Sequence, residues 1–518
     1  MPLHQHAISR LSILLALAVA TAGCASLPRN PPKLESLTLP PASGGLLAEA
    51  GAAVSANAGA DESAFLLLDS NADALLWRLA LIDHATTSIE MKYFIWENDE
   101  TGRLLLERLM AAAARGVRVR LLVDDFPIQG SDHRLAMLAR TDNFYLRVFN
   151  PGRLRRGVIG PAMEMVIYFQ ELNRRMHNKL MIVDGHWAIV GGRNIGNPYF
   201  GLSEKYNFRD LDLLVTGQVL EDLGDAFDEY WNSGPAYPAE AMGGRIRAWY
   251  RARMARDHEN LVSTDLELLA RTPFPIERRD WSGEFGTLPG LMATGAAEYL
   301  HDPPIVRGDR GERLLYTIPD LGQRAQDEVL MVTPYLIPPR RLRNSIAGAV
   351  ERGASVRILT ASMAANNHTV AHSHYKKYRR PLLDTGARLF EFHHEPRGPV
   401  RALCDTDPVR SRFVALHIKA VIEDRERVYL GSLNLDPRAM EINTENIMVI
   451  DSPELAERLA AKIETMLEPG NAWEVVQTEE ARIEWRSGPI VETVQPARHP
   501  WQRVADFFFR LLPIEGLL

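Results

Sequence analysis

Apolar and polar positions along this chain switch between a helical and a strand period, and the switches mark its elements. Leu75, Leu76, Leu79 and Ile82 recur at helical spacing, Ser88 to Trp96 (SIEMKYFIW) reads as a strand, residues 102–115 as an Ala/Leu-rich helix, and Val117 to Asp124 (VRVRLLVD) as a second strand. The same order returns downstream, with a strand over Glu328 to Pro338, a helix over 340–352 and a strand over Ser355 to Thr360. Arg115-Gly116 and Arg352-Gly353 stand before the matching strands. Strand, helix, strand predicts parallel pairing through right-handed crossovers. The chain therefore reads as α/β, in two pseudo-symmetric lobes, each a mixed, mostly parallel sheet flanked by helices. A strand and helix pair closes each lobe: 208–216 with 218–231, and 444–451 with 453–467. Superposing these sets Asp210 against Glu445.

Between those elements lies a segment that occurs twice. Met176 to Asn194 reads MHNKLMIVDGHWAIVGGRN, and Leu416 to Asn434 reads LHIKAVIEDRERVYLGSLN. His177, Lys179, Asp184, Gly191 and Asn194 correspond to His417, Lys419, Asp424, Gly431 and Asn434, always 240 positions apart. Internal repetition of this kind decides the architecture. Residues i and i+2 of a strand point to one face, so each histidine projects beside its lysine. The apolar run that follows is a buried strand, and Asp184-Gly185 reads as the turn of a hairpin. A nitrogen nucleophile, a fixed cation and amide donors suit a phosphodiester.

The two segments resemble the paired HKD motifs of the phospholipase D superfamily. After residue 62 the whole chain is similar to bacterial cardiolipin synthases, most closely their C type. This resemblance implies two phospholipase D-like lobes whose motifs meet on a pseudo-twofold axis. It implies catalytic sets His177, Lys179, Asp184 and His417, Lys419, Asp424, with Asn194 and Asn434 clamping phosphoryl oxygens. Asp184 and Asp424 are expected to fix the hairpin turns more than to touch phosphorus. Asp210 and Glu445 take the place of carboxylates that orient the histidine rings. By resemblance His177 is the nucleophile and His417 the general acid/base, although pseudo-symmetry also allows the reverse. The implied activity is phosphatidyl transfer to phosphatidylglycerol, with phosphatidylethanolamine as one donor; hydrolysis to phosphatidic acid would use the same residues, and a nuclease of the same superfamily is a further alternative that the acidic balance disfavours. No metal or other cofactor is expected.

Composition narrows the partners. A net charge of −7 argues mildly against a nucleic acid as the main substrate, while phospholipids and a membrane surface are the partners that the resemblance implies. Two cysteines, Cys24 and Cys404, do not make a metal cluster. Arg10, the apolar run Leu11 to Ala20 and the small residues before Cys24 resemble a lipoprotein signal, which places the chain in a bacterial envelope, lipid-anchored at Cys24 and facing the periplasm. The expected organisation is a signal over 1–23, a Pro/Ala/Gly-rich tether over 24–61, lobes over 62–233 and 309–470, an inter-lobe insertion over 234–308, and a tail over 471–518. The insertion contains an arginine-rich run (Arg245, Arg247, Arg251, Arg253, Arg256), readable as a solvated helix face or as a contact for lipid headgroups. In the tail, Trp501, Val504, Ala505, Phe508 and Leu512 share one helical face, which suits either a membrane interface or docking on the body. No feature selects an oligomeric state.

Overall fold

The computed structural model describes residues 26–126, 132–155, 159–242, 279–306, 314 and 322–517; the export signal, Cys24 and the arginine run at 245–256 lie outside the described residues. In the first lobe Ser88–Tyr93 runs parallel to Arg118–Asp124, and that strand parallel to Phe144–Phe149. The crossover helix Glu100–Ala114 starts where Asp99 accepts the Gly102 N–H at 3.0 Å, and buries Leu104, Leu105 and Leu109. Across its other edge Ser88–Tyr93 is antiparallel to Leu180–Val183, followed by Trp187–Gly191, Asp212–Gly217 and Ser63–Leu68.

The second lobe repeats this plan. Glu328–Thr333 is parallel to Ser355–Ala361, which is parallel to Arg388–Phe392, and the first of these is antiparallel to Ala420–Glu423. Arg427–Gly431, Asn446–Asp451 and Ala293–His301 then follow. Ala293–His301 also pairs with Ser63–Leu68 of the first lobe, Phe65 lying opposite Ala293, so the two sheets become one, of 18 strands among the described residues. One buried cluster accordingly runs through both lobes, from Phe65, Leu180 and Val190 to Leu330, Ile422 and Leu430.

Two expected boundaries are corrected. Residues 293–301 belong to no insertion: they are the second lobe's counterpart of Ser63–Leu68 and the seam between the lobes. Their sequence, ATGAAEYLH, is rich in small residues, so its burial alternates without an apolar signature. Residues 26–61 are no free tether either. The helix Leu46–Ser55 buries Leu47, Ala50 and Val54, and the extended segment before it satisfies arginines of the lobe: Arg120 donates to Ser36 O at 2.9 Å and Arg118 to Leu37 O at 2.8 Å. A Pro/Gly/Ala composition marks irregular backbone, but it does not say whether side chains of another element satisfy that backbone.

This strap explains a difference between the two motif hairpins. Both turns hold two residues at positive φ, Asp184 (53°) and Gly185 (67°) in one, Asp424 (51°) and Arg425 (55°) in the other. At Gly185 a Cβ would meet Pro41 Cα of the strap at 2.9 Å. Arg425 faces no strap and instead reaches Glu328 and Glu457 at 3.0 Å. Gly185→Ala is therefore expected to destabilise the protein by about 1–3 kcal/mol, through left-handed strain and the clash together. Chemical denaturation of wild type and variant reads this; an unchanged midpoint would show that the strap yields freely.

Candidate active site

Each motif enters the site beside backbone of the opposite lobe. Val414–Leu416 pairs in parallel with Asn207–Arg209, and the His417 N–H donates to Arg209 O at 2.9 Å. On the other side Met176 bridges Thr444, and the His177 N–H donates to Thr444 O at 2.9 Å. The residue after Arg209 is Asp210 and the residue after Thr444 is Glu445, so this pairing delivers each carboxylate to the other lobe's histidine. Nδ1 of His177 lies 2.8 Å from Oε2 of Glu445, and Nδ1 of His417 lies 2.5 Å from Oδ2 of Asp210. Each carboxylate thus holds Nδ1 of its ring and leaves the chemistry to Nε2. That is the arrangement a histidine needs to act through Nε2.

The site is buried and rich in charge. Lys179 and Lys419 each donate to the carbonyl of the histidine two residues before, the second at 2.5 Å. Burial pushes these ammonium groups down, Lys179 to about 7 and Lys419 to about 8. Burial, then the neighbouring Lys179 and Lys419, hold His177 well below its ordinary value, and burial with Lys419 and Lys179 brings His417 to about 3. Each lysine thus acts on both rings, which places the two motifs in one electrostatic site.

The two carboxylates differ. Burial alone would raise Asp210, but His417 and Lys419 hold it down to about 2. It remains ionised, and His417 Nδ1–H donates to it even though the Lys419 ammonium stands 2.9 Å from the same nitrogen. Glu445 is pushed up to about 8 by burial, against the pull of Lys179. Its Oε2 also accepts from Ser432 Oγ at 2.5 Å. The equivalent of Ser432 in the first motif is Gly192, where a Cβ would sit 2.3 Å from Asp210 Oδ1. One motif therefore supplies a hydroxyl to its carboxylate, and the other supplies space.

The remaining expected site residues divide. Asn434 carries a buried amide oxygen with no partner among the described residues, so its side chain is not tied into the wall by that atom. Asn194 does not stand free as a phosphate clamp: it accepts from the Ile95 N–H at 3.1 Å and donates to Tyr199 Oη at 3.0 Å, bracing the wall of the site. Asp184 and Asp424 lie at the far ends of their strands from the histidines. Asp184 accepts from the N–H groups of Thr86, Thr87 and Ser88, and Asp424 from those of Gln326, Asp327 and Glu328, at 2.7–2.9 Å. They staple the hairpin to the neighbouring strand and reach no histidine. As members of the catalytic sets they are corrected to scaffold.

Several site residues carry no motif signal. Phe94 meets His177 edge-on at 5.1 Å between ring centres; Tyr199 and Phe208 flank His417 at 5.5 and 4.7 Å. Tyr199 and Phe208 also line a cleft of about 780 Å³. Arg193, wholly buried, donates to Asp210 O at 2.8 Å and contacts Asp212 at 3.2 Å, bracing the strand that presents Asp210. Asp302 accepts the Glu445 N–H at 3.0 Å on the other side. The available signal was position: Phe94 ends a strand next to the motif hairpin, and Arg193 sits inside the repeated segment where the second copy has Leu433.

A model of a family described as "Cardiolipin synthase, PLD-like domain" matches residues 79–231 and 320–467. The chain is 33% identical over 470 residues to "Cardiolipin synthase C" of Escherichia coli (strain K12), covering 87% of this chain and 95% of that protein. It is 25% identical over 379 residues to a "Cardiolipin synthase" of Staphylococcus aureus (strain Mu50 / ATCC 700699), covering 73% and 62%. Among solved structures, a phosphatidylserine synthase of Haemophilus influenzae Rd KW20 shares the fold, with a TM-score of 0.57 at 16% identity, over 91% of this chain and all of that one.

Proposed function

Since the chain belongs to the cardiolipin synthase, PLD-like family and is a phosphatidyltransferase of the phospholipase D superfamily, we propose that it makes cardiolipin through a phosphohistidine. The reading is supported above all by the crossed pairing of each histidine with the other lobe's carboxylate. His177, which burial and the neighbouring Lys179 and Lys419 keep unprotonated, attacks phosphorus through Nε2 as the bond to the donor's headgroup oxygen breaks. In the substrate complex, where the phosphodiester's negative charge offsets the lysines that hold His417 low, His417 carries a second proton on Nε2 beside the ionised Asp210 and gives it to the departing oxygen. In the second step the free hydroxyl of phosphatidylglycerol loses its proton to His417 and attacks phosphorus, and the P–N bond breaks. Lys179, Lys419 and Asn434 hold the phosphoryl oxygens. Phosphatidylethanolamine is the proposed donor, and Cys24 the proposed anchor that keeps the site at an envelope membrane.

Purified protein given vesicles of phosphatidylethanolamine and phosphatidylglycerol is expected to form cardiolipin, and His177→Ala to form none. Labelled phosphatidylethanolamine should pass its phosphatidyl group into the product. Phosphatidic acid as the main product would replace transfer by hydrolysis.

A further inference from the structure

Two surface helices are attached to the body with their polar sides inward and their apolar sides outward. In Pro500–Arg510 the buried residues are Gln502 and Asp506. Gln502 donates to Met363 O at 2.6 Å, and Asp506 meets Lys376 and, at 3.6 Å, His372. Outward stand Trp501, 76% exposed, Phe508, 60%, and Leu511, 63%. In Ile159–Ile167 the same inversion recurs. Glu164 is buried and accepts the N–H groups of Arg153 and Leu154 at 2.9 and 2.7 Å, while Met163, Val166 and Ile167 are exposed. Of the twenty large apolar side chains exposed among the described residues, eleven fall within 163–169 and 501–512. A helix that only covered a core would turn the other way.

The segments that follow the two helices are tied together at Arg438, whose charge reaches His177. Arg438 donates to Leu517 O at 3.1 Å, beyond the C-terminal helix, and to Asn173 Oδ1 at 3.0 Å, beyond the Phe169–Leu172 turn that continues the other. Phe126, itself 59% exposed, stacks on Phe94, which contacts His177. Within 500–512 the exposed charges are Arg503 and Arg510, and the single carboxylate, Asp506, is buried. An apolar face rimmed by cations fits the headgroups and acyl boundary of an anionic bilayer.

We propose that the helices Ile159–Ile167 and Pro500–Arg510, bridged at Arg438, form one two-part face that seats the mouth of the catalytic site on a lipid bilayer. This rests on phospholipids being the substrates, and it settles half of the choice left open for the C-terminal helix: it docks on the body by its polar side so that its apolar side enters lipid. An environment-sensitive fluorophore on Phe508→Cys, Ile167→Cys or, as control, Glu457→Cys of the full chain tests it with phosphatidylethanolamine/phosphatidylglycerol vesicles carrying brominated acyl chains. Quenching is expected at 508 and 167 and not at 457. Trp501→Ser, Phe508→Ser, Val166→Ser and Ile167→Ser combined should slow turnover on vesicles roughly tenfold or more, with turnover of monomeric short-chain lipids unchanged. Labels that stay in water, or equal turnover on vesicles, would overturn the proposal. So would shielding of position 508 that grows with protein concentration without vesicles, because a second copy would then cover the face. Buried labels without any cardiolipin would leave the docking face standing and remove the transferase reading instead.

Discussion

Asp210→Asn is expected to slow turnover by roughly 10²–10⁴-fold, although Asp210 belongs to the lobe opposite the histidine it serves. The carboxylate 2.5 Å from His417 Nδ1 does two things an amide cannot. It fixes the proton on Nδ1, leaving Nε2 free to take part in transfer, and its negative charge offsets the imidazolium that forms. Asparagine can present its NH₂ to Nδ1, which selects the wrong tautomer. Turnover of Asp210→Asn combined with His417→Ala should match that of His417→Ala alone, since both changes remove one unit. Glu445→Gln should be milder near neutral pH. Burial pushes Glu445 up to about 8, so glutamine resembles the form already populated there, and its deficit should widen as pH rises past 8. Additive losses in the double variant would mean that His417 works without the other lobe's acid, and equal losses at both positions that Glu445 is as ionised as Asp210 near neutral pH.

Lys92→Met is expected to raise stability by about 3–5 kcal/mol below pH 7, the largest gain foreseen for a single change. The Lys92 ammonium is fully buried, makes no hydrogen bond among the described residues and lies 3.9 Å above the Tyr230 ring. Burial lowers it to about 7 from an ordinary 10.5, against the pull of Glu229. Because the folded value lies below the unfolded one, the unfolded chain binds the extra proton between them. The cost is therefore complete below about pH 7 and fades as pH rises toward 10.5. Loss of the ring contact offsets part of the gain. Denaturation midpoints of the two proteins across pH 6 to 10 would read this, with the difference shrinking at the alkaline end. A variant no more stable than wild type at pH 6 would show that Lys92 is solvated or paired in solution.

Much of the architecture was open to reading because it is written in local periods and in a repeat. Parallel pairing of Ser88–Tyr93 with Arg118–Asp124, and of Glu328–Thr333 with Ser355–Ala361, follows from strand, helix, strand order. The two His-x-Lys sets follow from a spacing of 240 that admits no insertion. The strand Ala293–His301 was not legible, because its burial comes from two neighbouring strands and not from an apolar run of its own. The strap over residues 26–61 was hidden for the same reason: arginines of a distant strand satisfy its backbone.

Residue order alone established that there are two half-sites, that each brings a histidine beside a lysine, and that the lobes share one plan. Those properties depend on neighbours a few positions apart, or on one segment copied whole. Only the folded chain assigned Glu445 to His177 and Asp210 to His417, turned the C-terminal helix apolar side out, and tied Asn194 into the wall while leaving the Asn434 amide oxygen without a partner among the described residues. Each of these is a choice between partners more or less equal in kind and up to 268 positions apart. Packing makes that choice, because burying a carboxylate or an imidazole is tolerable only where a specific distant group is already waiting to bond it.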